Sequence, residues 1–177
     1  SVATGNWNSP ATWNISIDLN NWMPAPFPPG ATNPVYIENG RNVTLTGDAS
    51  CLDLHLNGNL ALSTYTLDVN GKLRFYSGSA PGTSSTSVGS SALTSSTGKL
   101  RFTGTTRTIL KTGEWGNNPQ NWNVEFAPSS GNTFTIETGF KAKAIEVSSG
   151  TVISTNADFR PDGNSTGTGT LSVKSGA

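Results

Sequence analysis

The sequence predicts an all-β protein: a right-handed parallel β-helix behind an N-terminal cap rich in Trp and Pro, with a β-sandwich as the alternative. Three observations carry this. Thr, Ser, Gly and Asn make up nearly half of the 177 residues, a composition that suits strands and turns and is poor in helix formers. Apolar residues recur at every second position in short bursts, separated by Asn-Gly or Gly-Asp pairs. The pentapeptide Gly71-Lys72-Leu73-Arg74-Phe75 returns letter for letter as Gly98-Lys99-Leu100-Arg101-Phe102, and Gly169-Thr170-Leu171-Ser172-Val173 follows the same scheme. The interval between the first two copies approximates one coil of a solenoid, in which short strands stack on those of the previous coil.

Taken in order, residues 1–33 read as a cap and lead-in. Ser9-Pro10-Ala11-Thr12-Trp13 places a capping Ser before Pro at the first helical position, the start of about one helical turn. Trp7, Trp13 and Trp22 have no strand pattern around them, and a first coil needs its apolar end and backbone edges covered. Pro24, Pro26, Pro28 and Pro29 lead into the first coil in extended form. Residues 34–177 read as the β-helix. Its bursts are Val35-Tyr36-Ile37, Val43-Thr44-Leu45, the stretch Leu52 to Leu56, Leu60-Ala61-Leu62, Leu67-Asp68-Val69 and Leu73-Arg74-Phe75. They continue at Val124-Glu125-Phe126, Phe134-Thr135-Ile136, Ala144 to Val147 and Thr151-Val152-Ile153. Two segments break the rhythm: a Ser/Gly/Thr-rich excursion at 76–97 and a Trp-containing loop at 111–123.

Composition narrows the partners. Lys and Arg balance Asp and Glu at 11 each, so no summed field draws in nucleic acid or an anionic membrane. No apolar run reaches the roughly 18 residues of a membrane span, so no membrane insertion is expected. Ser1 to Trp7 lack the basic start and apolar stretch of a signal peptide, so the chain is expected to be soluble or already processed. The single cysteine, Cys51, excludes an internal disulfide, and the neutral polar surface suits an extracellular setting on a bacterial cell.

The candidate sites follow from side-chain chemistry. One His and one Cys make neither a usual zinc site nor a Ser-His-Asp arrangement, and no phosphate loop or nucleophile elbow is present, so no catalytic residue and no cofactor is expected. His55 and Asp53 share one side of their strand and read as two solvated groups on an outer face. Outward Asp53, Asp68, Arg74 and Arg101 offer the carboxylates and cations that acidic-polysaccharide cleavage uses, but such charges on a solenoid face usually serve solubility. Asp158, Asp162 and Asn164 bring oxygen ligands that suit calcium, set against a plain turn. Asn14, Asn42 and Asn164 begin glycosylation tripeptides. Trp115 and Trp122, among Asn118, Gln120 and Asn121, combine stacking surfaces with amides, the chemistry that sugars require. The opposing reading, which the cost of exposing two Trp rings favours, folds both back onto the solenoid edge.

The run Gly5-Asn6-Trp7-Asn8-Ser9-Pro10-Ala11-Thr12-Trp13, the Pro-rich link, and Asn33 through Leu45 together resemble the start of β-helical modules in secreted surface proteins of Bacteroidota. This opening is also similar to the glycine-rich G8 domain of some animal surface proteins. Gly98 to Thr108 and Ser148-Ser149-Gly150-Thr151-Val152 look like the middle of the bacterial modules. The resemblance implies a β-helix, export by the type IX system and a place at the cell surface, with no catalytic motif to carry over. The expected function is a non-enzymatic extracellular module: an adhesin, a spacer or a building block of a surface layer or filament. A carbohydrate-binding module is the alternative, and a polysaccharide lyase or hydrolase scaffold comes third. The expected partners are neighbouring domains of a longer chain or copies of itself, met head to tail, and surface glycans.

Overall fold

The computed structural model describes residues 1–18, 20–75, 93–109, 111–112, 122–136, 140–155, 159–161, 169–175 and 177. The N-terminal stretch forms three two-residue strands, β1 (Gly5–Asn6), β2 (Asn14–Ile15) and β3 (Met23–Pro24), and a turn of 3-10 helix at Pro10–Thr12. Pro10 opens that turn, where its fixed φ fits and its missing N–H is not needed. Ser9 makes no side-chain cap, contrary to expectation; its carbonyl instead accepts the Thr12 N–H at 3.0 Å.

From Val35 onward the chain lays down strands in sets of three. The first set is β4 (Val35–Ile37), β5 (Asn42–Thr44) and β6 (Ala49–Cys51); the second is β7 (Leu54–Leu56), β8 (Asn59–Ala61) and β9 (Thr66–Val69). The third is β10 (Leu73–Phe75), β11 (Leu93–Thr94) and β12 (Lys99–Gly104). The later strands are β13 (Arg107–Ile109), β14 (Lys111–Thr112), β15 (Asn123–Pro128), β16 (Thr133–Ile136), β17 (Phe140–Ala142), β18 (Ala144–Val147), β19 (Thr151–Ser154), β20 (Phe159–Pro161) and β21 (Thr170–Val173). The members of each of the three sets enter three different sheets in the same rotation, ordered β14-β10-β7-β4, β1-β5-β8-β11 and β21-β18-β15-β12-β9-β6. Two smaller sheets, β13-β16-β19 and β17-β20, complete the second half.

Among the described residues every strand pair is parallel except β2 with β3. Parallel neighbours need a crossover connection, and here the crossover is made of strands that belong to other sheets. The antiparallel pairs of an ordinary β-sandwich are not what this chain builds.

Register explains the core. On the six-stranded sheet Leu67, Leu100, Val124, Ile145 and Leu171 stand side by side, as do Val69, Phe102, Phe126, Val147 and Val173. Val35, Leu54 and Leu73 form a matching row on a second sheet, and Val43, Leu60 and Leu93 on a third. Leu54, Leu67, Leu73 and Leu100 are fully buried, as the alternation predicts. The rows end exposed at β21, where Leu171 and Val173 are 56% and 63% accessible.

Two expectations change. The identical pentapeptides do not stack: Leu73 lies beside Leu54, whereas Leu100 lies beside Leu67 on a different sheet. Alternation fixes which side chains point inward but not which neighbour a strand meets. The stretch Leu52 to Leu56 is not one strand either, because the chain turns at Leu52 and Asp53 and leaves Leu52 38% exposed. The Asp53 carboxylate accepts the Lys72 N–H at 2.6 Å, and Asp48 accepts that of Thr66 at 2.8 Å. Each side chain therefore supports the start of a strand in the following set, so Asp53 is not the indifferent surface charge that alternation suggests.

At the N-terminal end β1 pairs with β5, and the Trp7 N–H donates to the Thr44 carbonyl at 2.8 Å. Trp7 and Trp13 are buried and meet edge to face at 5.0 Å, with the Trp13 Nε1–H donating to the Trp7 carbonyl at 2.7 Å. Trp22 does not join them; it is 50% exposed.

Candidate functional site

The outer face of the six-stranded sheet carries a row of Ser50, Asp68, Arg101, Glu125, Glu146 and Ser172. Arg101 donates to both oxygens of Asp68, at 2.6 and 2.9 Å. Lys99 pairs with Glu125 and with Glu146 (3.5 Å), and Lys174 pairs with Glu146. Burial raises the Glu125 carboxyl, but hydrogen bonds from Lys99 and Ser148 and the charges of Lys99 and Arg101 outweigh it and hold the pKa below the usual range. These carboxylates are thus committed to cations across strands. The four charges that suggested polysaccharide cleavage are not gathered: Asp68 and Arg101 pair, Asp53 holds a turn, and Arg74 sits on another sheet.

His55 stands in register between Tyr36 on β4 and Arg74 on β10. Its ring stacks on Tyr36 at 4.1 Å with 17° between planes and is 6% exposed, so the solvated outer-face reading is corrected. Side chains on the outside of a sheet can cover one another when their rows align. Burial first, then the Arg74 charge, pushes the His55 pKa from 6.5 down to about 4. The unfolded chain therefore takes up a proton in a range where the folded chain does not, and stability falls as pH drops from about 6.5 to about 4. Denaturant midpoints between pH 8 and pH 4 should show this decline in the parent and a flatter profile in His55→Gln. A parent profile that is flat over that range would refute the buried neutral ring.

The remaining candidates divide. Trp122 is fully buried in the apolar core just before β15, so its ring has no open face on which a sugar could stack. Trp115, Asn118, Gln120 and Asn121 lie outside the described residues, and so do Asp158, Asp162 and Asn164.

The structure contains a cavity of ≈ 510 Å³ that the sequence did not single out. It lies between β4 and the β2–β3 hairpin and is lined by Trp13, Ile15, Trp22, Phe27, Tyr36, Glu38 and Arg41, among others. The hairpin is shaped by Asp18, whose carboxylate accepts the Asn20 and Asn21 N–H groups, both at 2.9 Å, and the Asn21 side-chain amide at 2.7 Å. Those backbone hydrogen bonds, Asn21 first, hold the Asp18 carboxyl far below the usual carboxylate range. With the turn closed in this way, Trp22 and Phe27 stand 50% and 64% exposed. The Ala25 N–H donates to the Trp13 carbonyl at 3.1 Å and ties the hairpin to the buried Trp pair. On the other wall Ser1 places its amine on the Tyr36 carbonyl. A sequence signal existed in Trp22-Met23-Pro24-Ala25-Pro26-Phe27, aromatic residues on a Pro-stiffened backbone with no polar alternation to bury them.

Comparison with protein-family models, curated proteins and solved structures gives no match.

Proposed function

We propose that the chain is a right-handed parallel β-helix that serves as a non-enzymatic structural module of an extracellular surface, its β21 edge meeting a neighbouring domain of a longer chain or a second copy of itself. The carrying observation is the contrast between the two ends. Trp7 and Trp13 cover the first, whereas the last set of strands leaves Ile153, Leu171 and Val173 at least half exposed on strands that each lie at the edge of their sheet. An exposed apolar edge strand is a template for pairing with another chain. The rotation of strands through three sheets supports the solenoid reading, and the neutral Thr/Asn/Ser surface supports the extracellular one.

Light scattering over a concentration series tests this. The parent should associate reversibly, and Leu171→Asp with Val173→Asp should leave a folded monomer. A parent that stays monomeric at every concentration would remove the support for a self-assembling building block.

A further inference from the structure

We infer that Asn39 is a site of spontaneous covalent modification, at which the side-chain amide is lost as ammonia and an Asp or isoaspartyl residue takes its place. The inference concerns the turn between β4 and β5 and is independent of any assembly at the β21 end.

The chemistry needs a backbone nitrogen that can reach the side chain of the residue before it. The Gly40 nitrogen, on losing its proton, forms a bond to the Asn39 side-chain carbonyl carbon; the bond from that carbon to the side-chain nitrogen breaks, and ammonia leaves. Water then opens the cyclic imide. Attack at the backbone carbonyl leaves an isoaspartyl link, and attack at the side-chain carbonyl leaves Asp. Asn is a thermolabile residue, and a following Gly favours the ring closure because it has no Cβ to obstruct the approach.

The chain has three Asn-Gly pairs, Asn39-Gly40, Asn57-Gly58 and Asn70-Gly71, all at corners between strands. The Gly58 N–H donates to the Ile37 carbonyl at 2.9 Å and the Gly71 N–H to the Leu52 carbonyl at 2.6 Å, so the preceding corner holds both nitrogens. Neither corner has room to spare: a Cβ on Gly58 would lie 2.2 Å from the Glu38 carbonyl oxygen, and one on Gly71 2.8 Å from that of Leu52. The Asn70 side chain is also occupied, accepting the Thr103 hydroxyl at 2.7 Å. Asn39-Gly40 differs in each respect. Among the described residues the Gly40 N–H makes no hydrogen bond, nothing lies within 4 Å of an added Cβ, and residues 38–41 are exposed. The ends of this turn are nevertheless held. The Arg41 N–H donates to the Glu38 carbonyl at 3.1 Å, and the Ile37 and Arg41 carbonyls accept from the corner at Asn57 to Asn59. The middle of the turn is therefore free to take the longer backbone of an isoaspartyl link while β4 and β5 keep their places. The product places a new carboxylate between Glu38 and Arg41, both of which line the cavity.

The test incubates freshly purified parent chain at mildly alkaline pH, folded and in urea, and reads each Asn by site-resolved mass spectrometry after digestion at mildly acidic pH. In the folded chain Asn39 should gain the mass of an amide-to-acid exchange, in both Asp and isoaspartyl forms. It should do so about ten-fold or more faster than Asn57 and Asn70, whose following nitrogens must first be released by local opening. In urea the three should convert at comparable rates. Asn39→Gln should remove the fast conversion and keep the parent denaturation midpoint. The inference is overturned if Asn39 converts no faster than Asn57 or Asn70 in the folded chain. It is overturned equally if the same ordering persists in urea, since neighbouring residues rather than the fold would then set it.

Discussion

Replacing Phe102 by Ala should cost about 3–5 kcal/mol, the cost of removing a fully buried aromatic side chain from a core that cannot close over the gap. Phe102 has no exposed surface and stacks on Phe126 at 5.4 Å with 14° between ring planes. Phe126 in turn meets Phe159 at 5.9 Å, so the ring belongs to a stack that passes from the six-stranded sheet toward β20. Total stability for a domain of this kind is about 5–15 kcal/mol, which makes the loss a large fraction of it. Part of the loss is specific to the aromatic pair, so the double variant with Phe126→Ala should fall short of additivity by about 0.5–1.5 kcal/mol. One residue back on the same strand, Arg101 points outward onto Asp68, and both side chains are partly exposed. Breaking that pair with Arg101→Ala should cost no more than about 1 kcal/mol. Urea denaturation of the parent, the two single Phe variants, the double variant and Arg101→Ala decides; equal losses at 101 and 102 would contradict the inward and outward alternation of β12.

That alternation was the legible part of the fold. Leu54, Leu56, Leu60, Leu62, Leu67 and Val69 are all buried where the sequence places them inward. Sheet membership was not legible, because two copies of Gly-Lys-Leu-Arg-Phe carry the same local information and go to different sheets. What separates them is the length of chain between, including the Ser/Gly/Thr-rich excursion, and no local pattern encodes that.

The candidate site was less legible still. Trp7, Trp13 and Trp22 look alike in sequence, yet two lock together in the core and the third stands half exposed. Their separation depends on the local turn that Asp18 closes and on which strand edge the hairpin faces, and the second of these is a tertiary fact. Trp122 had two readings, a ring for stacking on a sugar and a ring folded back onto the solenoid edge; its full burial matches the second, which the apolar area of an indole favours. His55 shows the same limit, since outward on a sheet means solvated only when the adjacent rows leave it uncovered.

Gly58→Ala should be the most damaging single-methyl change among the corner glycines, costing about 3 kcal/mol or more, at or above the top of the usual overpacking range. A Cβ at this position would lie 2.2 Å from the Glu38 carbonyl oxygen and 2.5 Å from that of Arg41, both backbone atoms that no rotamer change can move. The corner at Asn57 and Gly58 sits directly on the corner between β4 and β5: the Asn57 and Gly58 N–H groups donate to the Ile37 carbonyl at 2.8 and 2.9 Å, and the Asn59 N–H donates to Arg41 at 2.8 Å. Asn57-Gly58 reads in sequence as a pair chosen for positive φ, but the structural need is close approach. Gly40 is the useful contrast, with φ of 75° and nothing within 4 Å of an added Cβ. Gly40→Ala should therefore cost only the left-handed backbone penalty of about 1–2 kcal/mol. Chemical denaturation of the two variants separates these effects. Equal destabilisation by the two substitutions would mean that the corners are not in direct contact.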